Sequence, residues 1–100
     1  MTITKWLPEP NPWFQRRLGK TLEECGELVK ICARIQIQGL HSYDPDSGKL
    51  NKWELEKEIA DVLAQCECTL MALNLDQQYI KTRMLTKIKQ MADYENHLKD

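Results

Sequence analysis

Leu22-Glu23-Glu24-Cys25-Gly26-Glu27-Leu28 and, further along, Leu55-Glu56-Lys57-Glu58-Ile59-Ala60-Asp61-Val62 decide how this chain folds. Each stretch sits inside a segment whose apolar residues recur at three- and four-residue intervals, the spacing of an amphipathic helix. On a helix, residues i and i+3 share a face with Cβ atoms roughly 5–6 Å apart, so Glu24/Glu27 and Glu58/Asp61 each form a carboxylate pair. Two such pairs on facing helices put four carboxylates around one small volume. Like charges packed that closely must protonate or take up a cation.

The phase of the acids sharpens this expectation. At about 100° per residue, Leu18, Leu22, Cys25, Leu28, Val29, Ile31, Cys32 and Ile35 fill one broad apolar arc of the first segment. Glu24 falls inside that arc and Glu27 at its edge, whereas Glu23 points away among Lys30 and Arg34. In the second segment Leu55, Ile59, Val62, Leu63, Cys66, Leu70 and Leu73 form the main stripe, and Trp53, Ala60, Ala64 and Met71 a weaker one. Glu58 and Asp61 lie in the groove between the two stripes. Of the chain's acids, Glu24 is the least easily explained as solvated surface.

Outward from these clusters, the rest of the chain supplies helix ends and connections. Residues 1–11, with Pro8 and Pro10, have too little periodicity for a helix and are expected as an extended arm whose Trp6 and Leu7 pack on this subunit or a neighbour. Asn11-Pro12 reads as an N-cap followed by Pro at the first helical position. The helix should run to about Gln38, stopped by Gly39, with Gly19 offering a break between a short lead-in at Trp13–Leu18 and the main rod. Gly26, between the clustered glutamates, costs ~1 kcal/mol relative to Ala in a helix interior. Close approach of another backbone or of a metal would account for it, and so would simple drift. Gly39–Leu50 is a polar loop carrying Asp44, Pro45, Asp46 and Gly48. The first acidic pair stands about 19 Å of helix before this loop and the second about 11 Å after it, a mismatch the loop easily spans. Asn51 is the expected N-cap of the second helix, with Glu54 completing a capping-box variant. Asp76 caps a third helix to about Leu98, with a stripe of Ile80, Met84, Ile88, Met91 and Leu98 bordered by Arg83, Lys87 and Tyr94.

One hundred residues make a single domain with a small core. The fold expected is all-α: a small antiparallel bundle of three main helices, completed by assembly of copies into a dimer or tetramer. A net charge of −1, from 14 basic and 15 acidic residues, leaves no electrostatic footprint for nonspecific nucleic-acid binding. No apolar run approaches a membrane span and no signal-peptide pattern opens the chain, so a cytoplasmic protein is expected. Cys25, Cys32, Cys66 and Cys68 form no C-x-x-C and have no histidine nearby, and they are expected as reduced core residues.

E-E-x-x-E at Glu23–Glu27 followed by E-x-x-D at Glu58–Asp61, on two helices of a small all-α chain, resembles the MazG-like nucleoside triphosphate pyrophosphohydrolases over roughly residues 18–98. The resemblance implies a Mg²⁺-dependent enzyme that cuts a (deoxy)nucleoside triphosphate between its α and β phosphates. Carried over by position, the metal ligands would be Glu24, Glu27, Glu58 and Asp61, with Glu23 a supporting acid. Glu23 or Glu27 would orient or deprotonate the attacking water. Lys87 matches a phosphate-binding lysine of such enzymes, but the basic residue that often follows it is absent, and Arg83 one turn earlier could replace it. Carboxylate ligands suit Mg²⁺, with Mn²⁺ as a substitute. Trp13, about three turns ahead of Glu24, is the best placed of the tryptophans to stack on a nucleobase; Asn74 and the His41–Asp46 loop are weaker contenders. A di-iron bundle would need Glu-x-x-His pairs, and neither His41 nor His97 stands three residues after a Glu. The rival from another class is a non-catalytic helical interaction or regulatory protein on the same scaffold.

Overall fold

A computed structural model describes residues 5–99 and consists of three helices: α1 (Pro12–Gln38), α2 (Asn51–Ala72) and α3 (Gln77–Leu98). The all-α class expected from periodicity holds, and among the described residues the only β feature is an isolated antiparallel bridge between Tyr43 and Leu50. α1 begins as the sequence indicates. Asn11 Oδ1 accepts from the backbone N–H groups of Trp13 (2.9 Å) and Phe14 (3.3 Å), and Pro12 occupies the first turn, where its missing N–H costs nothing. No break occurs at Gly19, so the short lead-in is part of one helix of 27 residues, about 40 Å long. Gly39 ends α1 with φ +99°, and its N–H donates to Ile35 O.

α1 and α2 pair as an antiparallel hairpin. The hydroxyls of Thr21 and Thr69 meet at 2.7 Å near its open end, and Asn51 joins Gln38 and Gly39 at its closed end. Asn51 was expected to cap α2 but does not. Leu50 takes the cap position without a side-chain bond, and Asn51 is fully buried, its Nδ2 donating to Gln38 Oε1 (3.0 Å) and Gly39 O (3.1 Å). A tertiary partner outcompeted the local one. The loop is ordered by Asp44, which accepts from Gln38 Nε2 (3.2 Å) and the Ser47 N–H (3.0 Å) and lies 3.7 Å from Arg34 Nε. α3 starts as expected, with Asp76 Oδ1 accepting from the Tyr79 N–H.

What the hairpin buries differs from the expected stripe. The α1 face turned to α2 runs Thr21, Glu24, Leu28, Ile31, Ile35, Gln38, and the α2 face turned to α1 runs Asn51, Glu58, Val62, Gln65, Thr69. Ile31 is the only buried hydrophobe among the described residues. The main α2 stripe through Ile59, Leu63 and Cys66 faces outward, as do Leu22, Val29 and Trp53. Cys32, Cys66 and Cys68 are exposed thiols rather than core residues, because they sit on stripes that one neighbouring helix cannot cover; Cys25 is half-buried and all four are free. Trp6, 91% exposed, and Leu7 do not pack on this chain; residues 1–4 of the expected arm lie outside the described residues.

α3 scarcely touches the hairpin, and none of its residues is buried. Its apolar stripe, Met84, Ile88, Met91 and Leu98, is open. A radius of gyration of 17.8 Å exceeds the ~13 Å of a compact 100-residue domain.

Candidate metal centre

The hairpin register brings Glu24 of α1 opposite Glu58 and Asp61 of α2. One carboxylate oxygen from each of the three lies within 4.8 Å of those of the other two. α2 presents its pair through the i, i+3 spacing, and α1 contributes Glu24 from a position otherwise filled by apolar residues. Glu58 is 7% exposed, which is rare for a glutamate. Its Oε1 accepts from Lys57 Nζ at 3.1 Å, while its Oε2 is buried with no hydrogen-bond partner among the described residues. Leaving a charged oxygen so placed costs several kcal/mol in general unless a partner arrives.

Beside the triad lies a cavity of about 90 Å³ lined by Glu27, Lys30, Ile31, Arg34, Glu54 and Glu58. Glu27 is therefore at the rim, not in the tight group of three. It is half-exposed and 3.8 Å from Lys30 Nζ. Glu23 points away, as its phase indicated, and pairs with Lys20 at 3.3 Å. Trp13 and Glu23 line a separate cavity of about 330 Å³ together with Arg16, Arg17 and Lys20, which puts an aromatic face among cations upstream of the triad. Lys87 lines a shallow hollow formed with Ile88, Met91, Ala92 and Glu95 of its own helix, and Arg83 is exposed; within one chain neither is brought to the carboxylates. Asn74 has φ +52° in the turn after α2, a backbone role that explains the residue without a ligand. A Cβ built at Gly26 meets nothing within 4 Å, so no close approach within this chain requires that glycine.

Lys57 was not singled out in the sequence, yet its Nζ reaches both Glu58 Oε1 and Asp61 Oδ2, the latter at 3.3 Å. These bonds, that to Glu58 first, hold the lysine above its ordinary pKa. The signal was present as an i, i+4 Lys–Asp pair, a pattern that usually marks nothing more than a solvated helix face. Asp44 is held below the usual carboxylate range, chiefly by the Gln38 hydrogen bond and then by the Ser47 N–H.

Three carboxylates, one of them buried with an unserved oxygen, fit a hard divalent cation that takes oxygen ligands. Soft or imidazole-preferring metals find no histidine or thiol in this group. The chain matches no protein-family profile, no characterised protein and no solved structure.

Proposed function

We propose that this chain is a Mg²⁺-dependent nucleoside triphosphate pyrophosphohydrolase, converting a (d)NTP to the monophosphate and pyrophosphate. The observation that carries the proposal is the convergence of Glu24, Glu58 and Asp61 with one buried, unpartnered carboxylate oxygen. The paired motifs that resemble the MazG-like enzymes supply the choice of reaction. Bound Mg²⁺ would offset the charge of the polyphosphate and make a bound water more acidic.

The residues divide the remaining work. Glu24, Glu58 and Asp61 hold the cation. Glu27 at the cavity rim accepts a proton from the attacking water, and Glu23, on the far side of its helix turn, supports from the neighbouring cavity. Trp13 offers a stacking face for the base, flanked by Arg16, Arg17 and Lys20. Lys87 and Arg83 reach phosphate only when α3 of this or another copy closes over the hairpin.

Assembly as a homodimer or tetramer belongs to the same proposal. The open stripes on α2 and α3, with Ile31 as the one buried hydrophobe among the described residues, leave more apolar surface uncovered than a stable monomer of this size tolerates. No described helix is long and apolar enough to cross a membrane, and the cytoplasm is the proposed place of work.

The test is pyrophosphate release from the eight common (d)NTPs with Mg²⁺. Release that disappears in Glu24→Gln and Asp61→Asn supports the assignment; release that persists in both contradicts it. The second reading, a non-catalytic helical interaction protein, is favoured by the same open stripes. It predicts that neither Mg²⁺ nor any triphosphate changes the melting temperature, whereas a binder is stabilised by mass action.

A further inference from the structure

The acidic group already holds a positive charge belonging to the chain. Lys57 Nζ bonds one oxygen of Glu58 and one of Asp61, at 3.1 and 3.3 Å, so two of the three proposed ligands are engaged by the same ammonium. Its placement follows from helix geometry. Position 57 lies about 100° around the helix from 58, and only a long, flexible stem lets the ammonium arch back over the groove. That side chain is 59% exposed. Glu24 receives no bond from it, and Glu58 Oε2 stays unserved. A single ammonium is a partial answer to three converging carboxylates; a divalent ion with six coordination positions answers all of them.

We propose that Lys57 is a tethered competitor for the cation site: it occupies the Glu58 and Asp61 oxygens until the divalent ion displaces it, and so modulates the affinity with which the ion binds. This rests on the triad being a metal centre. The exchange conserves local charge better than simple filling would, since one positive charge leaves the oxygens as two arrive. The exposed stem lets the ammonium withdraw into solvent without disturbing the helix, so Lys57 modulates the affinity that the three carboxylates confer.

The experiment titrates Mn²⁺ into the full chain at neutral pH and reads free ion by electron paramagnetic resonance. Wild type is compared with Lys57→Met, Lys57→Arg, Lys52→Met and Glu24→Gln. Lys52 lies earlier on α2, is exposed and makes no ion pair among the described residues, so its variant reports the loss of one positive charge at a distance. Lys57→Met should tighten Mn²⁺ binding roughly three- to thirtyfold, the range expected for removing two charge-assisted contacts that are partly solvated. Lys57→Arg should not tighten it, Lys52→Met should change it less than about twofold by screening, and Glu24→Gln should weaken it. If wild type binds but Lys57→Met binds equally or more weakly, or Lys52→Met tightens as much, the competitor role is overturned while the metal centre stands. If neither wild type nor Lys57→Met takes up Mn²⁺, the metal centre itself is rejected and the competitor with it.

Discussion

Replacing Glu58 by Gln keeps the shape of a nearly buried side chain and removes one of three converging charges. Two unit charges no more than 4.8 Å apart repel by ~3.5 kcal/mol or more at an effective dielectric of about 20. Glu24 and Asp61 are both part-exposed, which brings each repulsion down to the order of 1 kcal/mol. The loss of the Lys57 contact opposes this relief, and Asp61 keeps its own bond to the same lysine. In EDTA the variant should therefore be more stable than wild type by about 1 kcal/mol, a rise of roughly 4–8 °C in Tm for a domain this small. Saturating Mg²⁺ should reverse the order. A ligand at a hundred times its Kd adds about 2.7 kcal/mol to wild type, and the variant should gain little. The assay is thermal unfolding by circular dichroism at one protein concentration, with and without Mg²⁺. A variant that is destabilised in EDTA and keeps the full Mg²⁺ shift would refute the reasoning, because Glu58 would then be an ordinary structural acid.

Three further outcomes follow from particular contacts. Asn51→Ala removes the buried donor that joins Gln38 and Gly39 across the hairpin and two part-buried hydrogen bonds with it, so stability should fall by about 1–3 kcal/mol in urea unfolding; a loss under ~0.5 kcal/mol would mean that these bonds do not hold the two helices in register. Gly26→Ala should raise stability by about 1 kcal/mol, since the added methyl meets nothing in the chain and the helix interior gains propensity. Destabilisation there, detected in the same urea curves, would point to a neighbour covering α1 at that turn. Asp44 has a depressed folded pKa, so its contribution is complete above the unfolded carboxylate value, ~4, and is lost as pH falls through the lower folded value. The stability difference between wild type and Asp44→Asn should accordingly be flat from neutral pH down to about 5 and shrink below about 4; a difference that stays constant into that acid range contradicts the Gln38 and Ser47 bonds as its source.

Helix ends were legible wherever a short-range cap decided them. Asn11-Pro12 and Asp76 carry their own partners within three residues, and both caps form. Asn51 has the same local credentials but is taken by a partner twelve or thirteen residues away, which no window on the sequence reveals. The phase of Glu24, Glu58 and Asp61 agrees with the meeting of their carboxylates across the hairpin, because a carboxylate among apolar positions has few places to point; Glu27, paired with Glu24 by spacing, stays at the cavity rim. Which apolar stripe of α2 would meet α1 was not legible. A helix with two stripes and one neighbour can bury either, and here the groove between them is chosen, turning Ile59 and Leu63 outward. Lys57 stayed hidden for the opposite reason: its pairing is local and common, and only the burial of Glu58 gives it meaning.

The central claim is that carboxylates from both arms of the hairpin share one divalent ion. Crystals soaked in Mn²⁺ and measured at the metal's absorption edge test this most directly. The account predicts an anomalous peak between Glu24, Glu58 and Asp61, with oxygens of all three at about 2.0–2.6 Å and Lys57 Nζ turned away. Ordered Mn²⁺ elsewhere, with Lys57 still bonded to Glu58 and Asp61 and no peak between the three acids, would contradict it.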